Sequence, residues 1–417
     1  MKPRLLLLVP TSTYRAEAFV RAAKKLPAEL SIASETPSSL SHLDPVALPA
    51  FDFANPPDAV ARARAFAAEH PVDAVVAVDD QSTLAAATIS EALGLPCNPP
   101  GAVRTALNKY LGRQRMRDAG LAVPPFRLVP LSAPESALAG LSFPAVVKPL
   151  AMAASRGVVR VDGTDSFLET CRRLAPMVAS ASPAGDALAR DNLIVESYVP
   201  GWEVAVEGLL TDGALQVLAI FDKPDPLEGP FFPETMYVTP SRHTAQTQSR
   251  IVAMTARALS AVGLRHGPVH VELRGDANAV VPIEVHGRSI GGLCSRVLRF
   301  ADGRSLEDVI LQHALGILGA APVLPDRAAG VWMMQSPRRG TFAEMRGVAA
   351  AREVPDIEEI IVSARPGQVL EPLPEGFLYL GFIFARADTP DGAESALRRA
   401  HARLEPVIND PPARTPA

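Results

Sequence analysis

Val269-His270-Val271-Glu272-Leu273-Arg274 and Ala279-Val280-Val281-Pro282-Ile283-Glu284-Val285-His286-Gly287-Arg288 read as the two arms of a β-hairpin. Apolar and polar residues alternate toward the ends of both arms, and Gly275-Asp276-Ala277-Asn278 supplies the turn. Side chains of like parity share a face of a strand, so His270, Glu272 and Arg274 form one set and Glu284, His286 and Arg288 another. The sets meet on one side only if the loop has an odd count, which Asp276-Ala277-Asn278 allows. Two carboxylates then converge beside an imidazole and a guanidinium. Buried like charges are costly unless a cation or proton separates them. Mg2+, which prefers oxygen ligands and substrate phosphates, suits such a pair. A solvated hairpin with Glu–Arg cross-strand pairs has the same pattern.

Working upstream, Phe143-Pro144-Ala145-Val146-Val147-Lys148-Pro149 is an apolar strand ending in lysine. Lysine is scarce here: it occurs at positions 2, 24, 25, 109, 148 and 223, and arginine supplies the rest of the 41 basic residues. In the loop 151–158 small residues would let backbone N–H groups approach phosphate oxygens while Lys148 neutralises them. A strand-end lysine before a surface loop is the plainer reading. Between these segments, Leu193–Glu203 runs into Pro200-Gly201 with Glu196 before the turn and Glu203 after it. Such a hinge can offer backbone groups to an adenine edge and a carboxylate to a ribose, or be an ordinary strand–turn–strand.

The order Lys109, Lys148 with its loop, Glu196 to Glu203, then Glu272, Glu284 and Arg288 resembles the ATP-grasp superfamily from roughly Val103 to Gly319. The N-terminal stretch resembles the domain that precedes it in that family, through Tyr14-Arg15-Ala16, Phe19, Ala22-Ala23, Val78-Asp79-Asp80, Gly94-Leu95-Pro96 and Asn108-Lys109. The nearest likeness is to L-amino-acid ligases (dipeptide synthetases) and biotin-carboxylase-like carboxylate-amine ligases. Phe221-Asp222-Lys223, Glu234-Thr235 and Val238-Thr239-Pro240-Ser241 are similar to the segment that shapes their amino-acid pocket.

The resemblance implies an α/β fold: a Rossmann-like pre-ATP-grasp domain over 1–102, a two-lobed ATP-grasp unit over 103–319 and a smaller C-terminal α+β domain over 320–417. It implies an ADP-forming ligase that uses ATP and Mg2+, with Mn2+ as an alternative, to join a carboxylate and an amine through an acyl phosphate, with amino acids as the substrates. Lys109 and Lys148 would hold the phosphates, and Ser155, Arg156 and Gly157 would form the loop over them. Glu196, Ser197, Tyr198 and Val199 would read adenine and Glu203 would hold ribose. Glu272 and Glu284 would bind the metal. Arg288, with Lys223, would serve catalysis, and Glu234, Ser241, His270, Gly291 and Gly292 would face substrate. Two positions depart from the pattern. His286 stands where the family's third metal ligand is asparagine, and imidazole suits softer metals than Mg2+. Ala153-Ala154 replaces glycines of the phosphate loop. The rival readings are a biotin-carboxylase-like enzyme, although no Met-Lys-Met biotin site occurs here, and a nucleotide-binding regulatory protein with lost or altered turnover.

The rest of the chain fits this frame. It has 417 residues, 48% hydrophobic and 21% charged, which points to two or three folded domains and excludes wholesale disorder. A net charge of −4 argues against nucleic acid as a partner, so an anionic ligand must meet a local basic site. Cys97, Cys171 and Cys294 are too few and too scattered for a disulfide framework. The apolar run Leu5–Val9 stops at Pro10 and reads as a buried strand, and no window approaches a membrane span, so a cytoplasmic protein is expected. A homodimer is expected on base rate. Strands and helices alternate through the first third, but Val9-Pro10-Thr11-Ser12-Thr13-Tyr14 lacks the glycines of a dinucleotide site. Asp79-Asp80 fits a helix N-cap or a group facing the cleft. One helix is expected over Val103–Ala119, a linker over Ala320–Asp326, surface loops over Ser31–Ser41 and Ser180–Ala189, and a frayed tail over Asp410–Ala417.

Overall fold

The computed structural model describes residues 2–36, 50–182, 186–376 and 378–410. The N-terminal unit runs β1 (Arg4–Leu8), α1 (Ala16–Ala23), β2 (Glu29–Ala33), α2 (Pro56–Glu69), β3 (Ala74–Ala77) and α3 (Asp80–Leu93). Its parallel sheet has the order β2-β1-β3. Leu5 to Leu8 are all buried, as a central parallel strand covered on both faces requires. Gly94 ends α3 in the left-handed conformation, φ 70°.

The single helix expected over Val103–Ala119 is two helices, α4 (Pro100–Ala106) and α5 (Lys109–Asp118). Asn108 makes the break. Its backbone is extended, and its side chain accepts the amides of Tyr110 and Leu111, capping a new helix. Lys109 therefore starts α5, its amide donating to the Leu150 carbonyl at 2.8 Å.

The small lobe follows as β4 (Phe126–Pro130), β5 (Ala145–Pro149), β6 (Val159–Val161), α6 (Thr164–Ala181), α7 (Ala187–Asp191) and β7 (Asn192–Ser197). Its antiparallel sheet, β4-β7-β5-β6, packs Val147 and Val195 against Phe167, Cys171 and Leu174 of α6. The larger lobe contains β8 (Trp202–Thr211), β9 (Ala214–Lys223), β10 (Met236–Thr239), α8 (Ala245–Val262), β11 (Gly267–Gly275), β12 (Val280–His286) and α9 (Leu306–Ala314). The C-terminal part adds β13 (Ala328–Met334), β14 (Gly340–Arg346), α10 (Val348–Arg352), β15 (Ile357–Val362), β16 (Val369–Leu370), β17 (Gly381–Ala387), α11 (Pro390–His401) and β18 (Glu405–Asn409).

The expected boundary at 319/320 does not interrupt the main sheet. Eight strands run β12-β11-β8-β9-β10-β13-β17-β15, and β10 carries the sheet across by pairing Val238 with Gly330 of β13. One core contains Leu5 and Phe19 from the N-terminal unit, Phe221 and Tyr237 from the large lobe, and Phe382 and Phe384 from the C-terminal part. Burying each such side chain contributes about 1.5–3 kcal/mol, so this shared core fixes the cleft between the units. Among the described residues no helix is long and apolar enough to cross a membrane, and all three cysteines are free. Ser31–Ala33 belongs to β2. Parts of the expected loops and all of the tail after Asp410 lie outside the described residues.

Candidate active site

Glu272 and Glu284 are direct cross-strand partners, and so are His270 and His286. The carboxylates converge as the sequence suggested, but not through an odd loop. Gly275 pairs with Val280, leaving the even loop Asp276–Ala279, where Asp276 accepts the amides of Asn278 and Ala279. Even symmetry alone would place Ile283 opposite Glu272. A β-bulge at Ile283 shifts the register by one residue and brings Glu284 there. Arg113 holds the bulge, NH1 donating to Pro282 O at 3.0 Å and NH2 to Ile283 O at 2.7 Å.

Arg113 also reaches the small lobe. Its Nε donates to Glu196 Oε1 at 2.5 Å, and Lys148 Nζ lies 2.8 Å from Glu196 Oε2. Burial pushes the Glu196 carboxyl up, but Arg113 and Lys148 outweigh burial and hold it at about 2. The Glu196 carboxylate is therefore spent on aiming Lys148, and only its backbone is left to meet an adenine edge. Lys109 projects from the start of α5, Nζ donating to Met152 O at 2.5 Å and lying 3.3 Å from Glu284 Oε1. Between the lobes a cavity is lined by Lys148, Ser197, Tyr198 and Val199 on one side and Glu203, Glu272 and Glu284 on the other. Most of the expected nucleotide residues thus share one cleft.

The loop 151–158, expected to cover the phosphates, is strained. Ala154 and Ser155 have φ of 57° and 55°, which alanine and serine seldom adopt. Gly157, φ 75°, cannot be replaced easily, since a Cβ there would come within 2.5 Å of the Pro149 ring. The C-terminal part holds this loop. Gly157 N donates to Pro374 O at 2.8 Å and Arg156 Nε to Glu375 O at 2.9 Å, while Glu375 pairs with Arg173 at 2.6 and 2.9 Å. Gly157 N and Arg156 Nε thus tie the loop to Pro374 and Glu375.

On the large sheet Lys223 sits among three carboxylates: Glu203 at 2.6 Å, Glu234 at 3.0 Å and Glu272 at 3.3 Å. These three carboxylates also form the tightest acidic group among the described residues. The Lys223 ammonium already occupies the position a cation would take there, so the metal would sit between Glu272 and Glu284. As cross-strand neighbours these two carboxylates supply the oxygen ligands Mg2+ prefers, and His286 Nε2 lies 3.1 Å from Glu284 Oε2. Burial raises the Glu284 carboxyl, but Lys109 and His286 bring it to about 2. Lys223 and His270 likewise outweigh burial at Glu272 and hold it well below the carboxylate range. Glu234 goes the other way. Burial lifts it to about 7, because one ammonium is shared three ways and Glu272 and Glu203 crowd it. Tyr237, which the sequence reading missed, donates to Glu234 at 2.7 Å.

One expected substrate residue lies elsewhere. Ser241 gives its hydroxyl to Asp222 at 2.6 Å. Asp222 adjoins Lys223 in β9 and so faces the opposite side of the sheet. His270 stands behind Glu272, Nε2 at 3.4 Å from it and Nδ1 at 3.1 Å from the buried Glu207, which also accepts the Ile290 amide. Gly292 packs against Phe382, and Gly291 faces open space. Arg288 is buried, NH1 donating to Ser289 O at 3.0 Å and NH2 lying 2.7 Å from Asp80. Asp80 and Arg15 enter this site from the N-terminal unit, and Arg113 from α5. Spacing could have found Arg113, since it lies one helical turn after Lys109 on the same face.

Three family profiles match the chain: the ATP-grasp N-terminal domain over residues 20–97, the ATP-grasp domain over 141–297, and L-amino acid ligase C-terminal domain 2 over 332–409. The fold is similar to the crystal structure of an L-amino acid ligase from Bacillus licheniformis, with TM-score 0.83 and 26% identity over 98% of this chain and 99% of that one. Carnosine synthase 1 of Gallus gallus is 31% identical over 297 residues, 66% of this chain and 32% of that protein. Alanine–anticapsin ligase of Bacillus subtilis is 25% identical over 215 residues, 48% of this chain and 45% of that protein. The chain thus spans less than half the length of either curated relative.

Proposed function

Because this chain belongs to the ATP-grasp superfamily, we propose that it is an ADP-forming ligase that joins a carboxylate to an amine, with amino acids as both substrates. The observation that carries this reading is the pairing of Glu272 and Glu284 side by side on one wall of a cleft that also gathers Lys109 and Lys148. Mg2+ held by the carboxylate pair, with His286 beside it, would neutralise the β- and γ-phosphates.

The protein's own groups would do the rest. Lys148, aimed by Glu196, and Lys109, at the start of α5, meet the phosphate oxygens. The backbone of Ser197–Val199 meets adenine, and Glu203 the ribose hydroxyls. A carboxylate oxygen of the first substrate attacks the γ-phosphorus as the bond to ADP breaks. The amine of the second attacks the acyl carbon, and phosphate leaves as the amine loses its proton. Arg288 would stabilise the negative charge that builds on the acyl oxygen. The L-amino acid ligase C-terminal profile and the B. licheniformis structure support amino acids as the substrates. Free cysteines agree with a cytoplasmic protein, and a homodimer is the default assembly.

An ADP-release assay against an amino-acid panel tests the reading. Release should require ATP, a divalent metal and two amino acids together. Bicarbonate-dependent carboxylation of free biotin would replace the reading with a carboxylase. No stimulation across a broad panel would favour a regulatory nucleotide-binding protein.

A further inference from the structure

We propose that Asp80 is a positioning residue of the N-terminal unit that aims Arg288 and sets the His286 ring, an inference that rests on the ligase reading above. In a sheet ordered β2-β1-β3, the carboxyl ends of β1 and β3 flank the crevice where open α/β sheets receive ligands. Here that crevice faces the other lobe. Arg15, beyond β1, donates to Ser289, and Asp80, beyond β3, meets Arg288.

Local chemistry frees Asp80 for this task. Asp79 does the capping: its Oδ1 accepts the Asp80 amide at 2.9 Å, and its Oδ2 accepts from Thr13 at 3.0 Å. The Asp80 side chain then turns outward from the helix start. Its Oδ2 lies 2.7 Å from Arg288 NH2. Its Oδ1 is buried without a hydrogen-bond partner, 3.7 Å from His286 Nδ1. The Arg288 guanidinium is thus fixed at NH2 by Asp80 and at NH1 by Ser289 O, with Nε left over as a buried, unpartnered donor. Holding NH1 and NH2 at two points fixes the plane of the guanidinium. On the imidazole ring, Nδ1 faces Asp80 and Nε2 lies 3.1 Å from Glu284; a carboxylate behind Nδ1 would hold the proton there and leave the Nε2 lone pair for a metal bound at Glu284.

If Asp80 only docked one unit on another, its loss would act independently of Arg288. The test is a cycle of Asp80→Asn, Arg288→Ala and the double variant in the full chain. Asp80→Asn should lower kcat about 10–100-fold, the scale for losing a group that orients an active-site ligand. On the Arg288→Ala background, with metal saturating so that the His286 role does not enter, it should cost no more than about twofold in kcat. Asp80→Glu, which keeps the charge at the helix start, should regain most of the lost kcat. Mn2+ affinity, measured with ADP and no amino acid, should weaken about tenfold in Asp80→Asn. Asp58→Asn on exposed α2 should change none of these. Losses that multiply across the cycle, or unchanged kcat and Mn2+ affinity, overturn the proposal. The Mn2+ measurement needs no turnover. A chain that joins no amino acids but loses Mn2+ affinity on Asp80→Asn would sink the ligase reading and sustain the role of Asp80 at His286.

Discussion

The two walls of the cleft hold opposite balances of charge. On the small-lobe side Glu196 alone meets Lys148 and Arg113, and Lys109 lies close by. On the large-sheet side Glu203, Glu234 and Glu272 share Lys223, with Arg274 3.5 Å from Glu203. The first wall has cations to spare and suits phosphates. The second has too few, so Glu234 holds its proton up to about 7. Removing one member of a buried, paired set costs more than the pair itself contributes. The same kind of substitution should therefore damage folding on the first wall and chemistry on the second.

Glu284→Ala should show the largest effect on chemistry, a loss of about 10³-fold or more in kcat with the fold intact. Circular dichroism and turnover on one sample check both halves. Arg288→Ala should follow, with kcat down about 10²–10³-fold and a smaller effect on ATP affinity. The first wall should break differently. Glu196→Gln leaves Lys148 and Arg113 buried without their partner and should cost about 3–5 kcal/mol of stability at neutral pH. Its dependence on pH follows from the sign of the shift. The folded carboxyl titrates at about 2, below its ordinary 4.5, so the stabilisation is complete above about 4.5 and fades as pH falls toward 2. In denaturant titrations the gap between wild type and Glu196→Gln should thus be narrower at about pH 3 than at neutral pH. A gap that widens on acidification would break the comparison.

His286→Asn should keep activity with Mg2+ and lower the ratio of Mn2+- to Mg2+-supported turnover several-fold, because it replaces a softer ligand with an oxygen. An unchanged ratio would remove His286 from the metal. The smallest effect belongs to the loop clasp. Arg173→Ala breaks a half-exposed pair with Glu375 and should change stability by about 0.5 kcal/mol or less. It should raise the KM for ATP about twofold by loosening the strained loop.

The sequence made the charged strand ends legible because scarcity and alternation mark them. Lys148 is a rare lysine on an apolar strand, and Glu272 and Glu284 alternate with apolar neighbours. What stayed hidden depends on single-residue geometry. A bulge at Ile283 has no signature of its own beyond the adjoining proline. The break at Asn108 hides within a helical pattern, because asparagine is tolerated in a helix and preferred at its start. β10 is four residues long and ends beside Pro240, too short for its alternation to be read, yet it joins the large sheet to the C-terminal part. Asp80 was visible as half of an acidic pair. One aspartate suffices to cap α3, and only the packing of the N-terminal unit shows where the second one points.

A ligase of this design activates its carboxylate as an acyl phosphate in the cleft. This activation is tested most directly by supplying ATP and an amine with an amino acid whose carboxylate carries 18O. The products should be ADP, an amide, and phosphate that carries one labelled oxygen from the carboxylate. Label recovered in AMP, or phosphate released without label, would contradict it.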